Sequence, residues 1–302
     1  MPTTVWNRWI LTAMLVALCA APLGCERRSE AGRVADPTAV ADIRKALAGE
    51  GGVAGAAEAV VGTGWATLKG KFTFEGDPPA MPPYDVNKDH ATCAPGGKTP
   101  LQETLVVDGA TKGIANIAVY ARDVSRVHDG AAPSEEGIEF DQKVCRFLTH
   151  VLGVSVNQPV TLKNSDDVGH NTNISGRNTF NQTIPVGGAV PWTPQREEAV
   201  PVSVKCSIHP WMSAYVLPRE NRYFAVTAAD GSFEIPNLPA GEEVEIQVWH
   251  ESGTGTQREL IVDTDVAKEL KWSKKGRIKV KLEENEVREI NIAVPPSAFR
   301  AG

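Results

Sequence analysis

Hydrophobic and polar residues alternate along short stretches of the chain from Trp65 onward, and this alternation predicts β-strands. Successive side chains of a strand point to opposite faces, so an apolar residue at every second position marks a strand with one buried face. The segment 65–74 has this pattern and stops at Gly76-Asp77-Pro78-Pro79. Further strands are predicted at 103–108, 117–121, 140–148, 150–156, 159–164, 200–206, 213–217, 223–227, 232–235, 243–249, 257–262, 276–282 and 286–294. The predicted fold class is therefore all-β.

The N-terminal residues have a different pattern, which predicts export. Arg8 precedes an apolar run at residues 10–18 that is too short to span a membrane and fits a secretory signal. The following Ala20-Ala21-Pro22-Leu23-Gly24-Cys25 resembles a bacterial lipoprotein cleavage box, with Pro22 where that box usually has Leu. The resemblance implies lipidation at Cys25, and so a periplasmic or cell-surface protein anchored to a membrane. Residues 26–64 are predicted to be a flexible tether that reaches roughly 35 Å on average.

Composition limits the possible functions. A length of 302 residues predicts about two domains, and a hydrophobic fraction of 42% is enough for a real core. The net charge of −6 argues against a nucleic-acid partner, which needs a basic face. No Ser-His-Asp set, carboxylate pair or phosphate-binding loop stands out along the chain, so we do not expect an enzyme.

Candidate metal ligands are concentrated in the heptapeptide 206–212. The predicted strand 200–206 places Cys206 on the same face as three valines, and His209 and Met212 follow in a short loop. A thiolate, an imidazole and a thioether are thus delivered within one turn of chain. Two His, one Cys and a weak axial Met form the blue-copper ligand set, so the heptapeptide lacks one further imidazole.

His170 is the preferred source of that imidazole. It follows the predicted strand 159–164 and a polar turn, and Asn171 comes directly after it. A pair of strands can bring such a residue beside the Cys206 loop. His150 is the alternative, but it lies on the preceding predicted strand, where a side chain is expected to pair across the sheet.

The spacing Cys206-x-x-His209-Pro210-x-Met212 resembles the copper loop of the amicyanin group of plastocyanin-like cupredoxins. Residues 160–171 resemble the strand and turn that carry the first His in that family, and the likeness covers roughly residues 139–218. It implies that Asn171 braces the ligand loop and donates a hydrogen bond to the sulfur, a contact that tunes the metal. It also implies one copper ion, with Met212 as the long axial ligand, held by His170, Cys206, His209 and Met212.

A second resemblance surrounds the first. Residues 64–70 with 115–120, and later residues 229–241, resemble the opening and closing halves of a carboxypeptidase regulatory-like, transthyretin-type sandwich. The order implies a cupredoxin Greek-key sandwich inserted in or beside this second sandwich, with 117–121 as a source of further edge strands for the copper domain. Exported methylamine-utilisation-like proteins have this layout, which implies no activity. The predicted divisions are 1–25, 26–64, 65–138, 139–221 and 222–302.

Two further cysteines, Cys93 and Cys145, are predicted to form a disulfide, because an oxidising compartment favours their pairing. Two free thiols are the alternative, and Cys145-x4-His150 is a weaker candidate for an additional metal site. Zinc is the main rival for the heptapeptide site, but Met is a poor zinc ligand. A binuclear copper centre needs a second nearby Cys, and we expect none.

The ligand set implies electron transfer, because four filled positions leave no place for a substrate. His209 is expected near the surface, where Pro210 and Trp211 would form a small apolar patch for a redox protein partner. Trp211 could instead cap the core. The alternative function is a non-redox binding or structural lipoprotein, in which the metal site stores copper or adds stability.

Overall fold

The structure, a computed structural model, describes residues 62–300. The predicted secretory signal, the lipidation at Cys25 and most of the predicted tether lie outside this range. The described residues are nearly all β, as the alternation predicts. No helix among them is long and apolar enough to cross a membrane.

The regular elements of residues 62–300 are short strands, two single-turn α-helices and three short 3-10 helices. The strands are β1 Trp65–Phe74, β2 Ala118–Ala121, β3 Ile138–Lys143, β4 Arg146–Phe147, β5 Val151–Ser155, β6 Val160–Asn164, β7 His170–Ile174, β8 Phe180–Ile184, β9 Ala189–Trp192, β10 Val202–Lys205, β11 Ser213–Arg219, β12 Phe224–Val226, β13 Ser232–Pro239, β14 Glu243–Trp249, β15 Arg277–Lys281 and β16 Val287–Val294. The helices are α1 His90–Cys93 and α2 Asp265–Glu269.

Strands β1, β2 and β12 to β16 build two sheets, which we call the scaffold sandwich. Their orders are β13-β1-β16 and β12-β2-β14-β15. Apolar side chains from both sheets, among them Phe72, Ile235 and Ile246, form one buried cluster between them. The alternation along β1 and β16 follows from this cluster, because every second residue of each strand points into it.

Strands β3 to β11 build two other sheets, which we call the ligand sandwich because it carries the predicted metal ligands. Their orders are β5-β11-β10-β7-β8 and β4-β3-β6-β9. The pairs β3–β6 and β5–β11 are parallel, so the chain crosses between the sheets before it returns. The core between the sheets contains Phe140, Phe147 and Leu162 together with Cys206 and Met212.

A third buried cluster joins the two sandwiches. Tyr120 and Trp249 from the scaffold sandwich pack with Tyr215 and Leu217 from β11. The Tyr120 hydroxyl donates a hydrogen bond to the carbonyl of Ala199 at 2.9 Å. Since these large side chains are buried between β2, β14 and β11, the two sandwiches share a packed apolar contact.

Two strand predictions and one assignment of a strand to a sandwich were wrong. Segments 103–108 and 257–262 make only isolated bridges, because their apolar residues pack singly against the scaffold core from irregular chain. Strand β2 belongs to the scaffold sandwich and supplies no edge to the ligand sandwich. The edges there are β5 and β8 in one sheet and β4 and β9 in the other. The residues of β8 and β9 give no clear alternation, and β9 contains Pro191, which edge strands tolerate.

Candidate metal centre

The loop after β10 is closed by its own backbone. The N–H of Cys206 donates to the carbonyl of Met212 at 3.3 Å, and the N–H of Met212 donates to the carbonyl of His209 at 2.9 Å. Cys206 and Met212 are both buried and lie in the same apolar cluster. Because Cys206 and Met212 are close in sequence, both sulfur-containing side chains point into the core at one end of the ligand sandwich.

His170 reaches this loop from the neighbouring strand. It is the first residue of β7, which pairs antiparallel with β10, so it lies beside the end of β10 and the start of the loop. Its Nδ1 is 2.9 Å from Nδ1 of His209, and the sulfur of Cys206 is 3.9 Å from the same His209 atom. One donor atom from each of these three side chains lies within 4.8 Å of the others.

This spacing fits a single first-row metal ion. Bonds of roughly 2.0 Å to nitrogen and 2.3 Å to sulfur require donor atoms roughly 3–4 Å apart. The two distances from Nδ1 of His209, to Nδ1 of His170 and to the sulfur of Cys206, meet that requirement, and Met212 is buried in the same cluster. Thiolate and thioether sulfur beside imidazole nitrogen are the ligands that favour copper.

Asn171 connects the first imidazole to the ligand loop. Its backbone N–H donates to the sulfur of Cys206 at 3.2 Å. Its side-chain oxygen accepts from the N–H and the hydroxyl of Ser207 at 3.2 and 3.0 Å, and its side-chain nitrogen donates to Asn181 at 2.9 Å. Because the N–H of His209 also donates to the sulfur, at 3.4 Å, two backbone donors face Cys206.

Each imidazole has a carboxylate at its other nitrogen, and sequence reasoning missed both carboxylates. Nε2 of His170 is 2.7 Å from Asp166, which also accepts the backbone N–H groups of Val144 and Cys145 at 2.6 and 2.8 Å. Nε2 of His209 is 2.8 Å from Asp89. Asp166 lies four residues before His170 in the same polar turn, a signal that could have been used, whereas Asp89 precedes His209 by 120 residues.

These contacts determine which nitrogen of His209 is free. An ionised carboxylate can only accept a hydrogen bond, so Nε2 of His209 carries the proton that Asp89 accepts. In a neutral imidazole the other nitrogen then has a lone pair, and this Nδ1 atom faces His170 and Cys206. The structure therefore presents Nδ1 of His209 as a potential ligand.

The positive charge of the centre resides on His170. Burial lowers the pKa of His170, but its hydrogen bonds with Asp166 and Cys206 outweigh burial and raise it to about 9. Burial lowers the pKa of His209, and the hydrogen bond with Asp89 only partly offsets this effect. The nearby charge of His170 lowers the pKa of His209 further. The pKa of Cys206 is lowered, because hydrogen bonds from His170 and the loop backbone outweigh the opposing effect of burial. A metal ion would therefore displace a proton held near Nδ1 of His170.

The expectation that His209 lies near the surface was wrong. Its side chain is fully buried, because the segment 84–97, which precedes the ligand sandwich in the chain, covers it. Pro210 is exposed, whereas Trp211 is partly buried with its ring 5.1 Å from that of His209. The local sequence shows a loop at the end of a sandwich and contains no sign of the segment that covers it.

Cys93 and Cys145 form a disulfide with their Cα atoms 4.9 Å apart. The bond joins α1 to the turn between β3 and β4, where Val144 and Cys145 both have positive φ. The two sulfur atoms lie within 4.8 Å of a ring nitrogen of His209. The expectation that no second Cys lies near the Cys206 loop was therefore wrong. The two cysteines that lie there are bonded to each other.

His150 lies apart from this cluster, at the junction of the two sandwiches. Its ring contacts Glu251 through Nε2, and its Nδ1 is 3.6 Å from Glu103. Its ring also lies 6.0 Å from that of Tyr215. The structure thus brings His170 to the Cys206 loop and leaves His150 with carboxylate partners of its own.

Comparison with solved structures finds copper proteins over about a third of the chain. Similarity to the copper-containing nitrite reductase of Thermus scotoductus SA-01 covers 33% of this chain and 25% of that one, with 18% identity and a TM-score of 0.26. Amicyanin from Paracoccus versutus is matched over 33% of this chain and 97% of its own, with 17% identity and a TM-score of 0.25. A reduced Cu(I) form of an amicyanin mutant at pH 4 is matched over 33% of this chain and 91% of its own, with 24% identity and a TM-score of 0.25.

The chain spans about a quarter of the length of the nitrite reductase that it matches. No protein-family model matches the chain, and no curated protein does. The described residues form four β-sheets, two in each sandwich.

Proposed function

We propose that this protein holds one copper ion and carries single electrons between redox partners. The observation that carries the proposal is the convergence, at a buried point, of one nitrogen from each of two imidazoles and one sulfur, all within 4.8 Å of one another. Such a site, completed by a thioether, matches the blue-copper ligand set. The residues that would hold the ion are His170, Cys206, His209 and Met212.

The surrounding contacts suit electron transfer. When bound, copper supplies a one-electron couple between Cu(I) and Cu(II). Both imidazoles are fixed at Nε2 by carboxylates, and the sulfur accepts two backbone hydrogen bonds. Ligands fixed in this way move little when the charge of the site changes. With four protein ligands there is no position for a substrate, so we propose a carrier rather than an enzyme.

The setting of the site is part of the proposal. We propose division at 65–138, 139–221 and 222–302, with the flanking parts as halves of a regulatory-like sandwich. The membership of β1, β2 and β12 to β16 in the scaffold sandwich supports this division. We also propose export and a lipid anchor at Cys25, which the signal and cleavage-box residues support.

The burial of His209 favours a second candidate function. A centre without an exposed imidazole edge exchanges electrons less readily, so a copper store or a structural metal site is the alternative. In that case the scaffold sandwich would provide the binding function of the protein.

Visible and EPR spectroscopy of copper-loaded protein test the proposal. We expect an intense blue band and a narrow copper hyperfine splitting, both lost in Cys206→Ser because the thiolate gives rise to the colour. Ser203→Ala, on the strand that leads to the loop, is the matched control and keeps both signals. A colourless protein that binds zinc as tightly as copper would contradict the proposal. A blue protein that never exchanges electrons with reduced carrier proteins would favour the store.

A further inference from the structure

Segment 84–97, here called the cover segment, lies outside the strands of the ligand sandwich but reaches its metal centre. Its residue Asp89 contacts Nε2 of His209 at 2.8 Å, and the covered imidazole is 0% exposed. The Asp89 side chain is 40% exposed, so the carboxylate lies between the imidazole and solvent.

The cover segment is attached at several points. Cys93 is bonded to Cys145 in the turn between β3 and β4. The hydroxyl of Thr92 donates to Asp167 at 2.5 Å, in the polar turn that precedes His170. Asp89 itself has φ 50 and ψ 38, a left-handed conformation that Asp tolerates better than most residues. These attachments hold the carboxylate at one position over the ring.

We propose that Asp89 is a positioning residue of the metal centre, and that the cover segment is a fixed closure over His209. This inference rests on the proposed copper site. Asp89 accepts a hydrogen bond from the Nε2–H of His209, orients the ring and directs the Nδ1 lone pair towards Cys206 and His170. A carboxylate at this position also makes the imidazole more basic, which stabilises Cu(II) relative to Cu(I).

Four variants separate the roles of Asp89. Asp89→Ala removes both the charge and the acceptor, whereas Asp89→Asn removes the charge and keeps an acceptor oxygen. Asp85→Ala and Asp85→Asn are matched controls, because Asp85 is exposed in the same segment and makes no side-chain hydrogen bond among residues 62–300. Circular dichroism and thermal unfolding establish that each variant folds, and the midpoint potential of Asp89→Asn tests the positioning role if Asp89→Ala does not fold.

The first measurement needs no metal. Iodoacetamide is added to the copper-free protein with its disulfide intact, and alkylation is followed by mass spectrometry on the peptide that contains Cys206. We expect Asp89→Ala to be alkylated severalfold faster than the wild type, and Asp89→Asn to remain near the wild-type rate. Rates that are equal in all four variants and the wild type would overturn the closure.

The second measurement uses copper. Chelator competition is expected to show about a 10- to 100-fold loss of Cu(II) affinity in Asp89→Ala, the usual effect of removing a residue that orients a metal ligand. The midpoint potential is expected to rise in both Asp89 variants, because each removes the negative charge that favours Cu(II).

The two proposals fail in different ways. A blue protein whose Asp89 and Asp85 variants have the same affinity and potential overturns the positioning role and leaves the electron carrier in place. A protein that never turns blue overturns the carrier, while the alkylation rates still report on the closure.

Discussion

The scaffold sandwich and the ligand sandwich are both all-β, yet they bury different chemistry. The scaffold core is a large cluster of aliphatic and aromatic side chains. The ligand sandwich buries Gln142, Asn164, Asp166, His170 and Thr172 beside its apolar residues. Burial of a polar group is unfavourable unless it is hydrogen-bonded, so the second core requires a partner for each such group.

Those partners connect the candidate metal centre to the strands around it. Gln142 donates to the hydroxyl of Thr172 at 3.1 Å, and the side chain of Asn164 donates to the carbonyl of Val168 at 2.8 Å. Asn164 also accepts the N–H of Asp166, whose carboxylate contacts His170. The comparison teaches that the scaffold core is stabilised mainly by apolar burial, with few buried polar groups such as Gln247 and His250, whereas the ligand core also fixes the orientation of reactive side chains.

The largest expected effect comes from removing an aromatic ring from either core. Phe72 is buried in the scaffold core and Phe140 in the ligand core. Truncation to Ala is expected to lower the free energy of unfolding by about 3–5 kcal/mol in each case, from lost burial and the cavity left behind. Denaturant unfolding measures this loss. Only Phe140→Ala should alter the copper EPR spectrum, and an equal change in Phe72→Ala would contradict the separation of the two cores.

Removal of the disulfide should have a comparable effect on stability. The bond closes a loop between residues 52 apart in sequence, and loss of such a constraint on the unfolded chain costs about 4 kcal/mol. The double variant Cys93→Ser with Cys145→Ser tests this by denaturant unfolding. Cys206→Ser, which leaves the disulfide intact, is the control. If both variants lose the same stability, the disulfide has no special role in attaching the cover segment.

Acid should weaken the scaffold side through His250. Burial lowers the pKa of His250 to about 4. The charge of Glu251 raises this pKa and the charge of His150 lowers it, but both effects are smaller than that of burial. The unfolded chain, with a His pKa near 6.5, binds the proton first as the pH falls. The stabilisation is therefore complete above about pH 6.5 and is lost progressively towards pH 4, by about 3 kcal/mol in total.

Unfolding measured between pH 5 and 7 checks this slope. His250→Asn keeps an acceptor for the N–H of Ser252, which His250 accepts at 3.2 Å, and should flatten the dependence. A slope that survives the substitution would assign the acid sensitivity to other groups.

The smallest expected effect comes from removing one methyl group from either core. Ile246 in the scaffold core and Ile174 on β7 are both fully buried. Ile→Val at either position should cost about 1 kcal/mol. Since Ile174 pairs with Val204 two residues before Cys206, only its substitution should shift the blue absorption band. Identical spectra for both variants would show that packing in the ligand core does not affect the ligand loop.

Much of this protein follows from its sequence alone. Alternation predicted strands such as β1, β14 and β16, because a half-buried strand records its two faces in successive residues. The spacing of Cys206, His209 and Met212 predicted a compact ligand loop, because those residues are neighbours in the chain. His170 could also be predicted, because it follows a strand that the alternation identifies.

The tertiary structure decided what covers and orients those ligands. Asp89 meets His209 across 120 residues, and the disulfide brings Cys93 and Cys145 against the same ring. Such contacts leave no local pattern, because an exposed loop residue and a residue that covers a metal centre have the same sequence surroundings. Local alternation records which side of a strand is buried, whereas only the folded chain determines which distant segment lies over it.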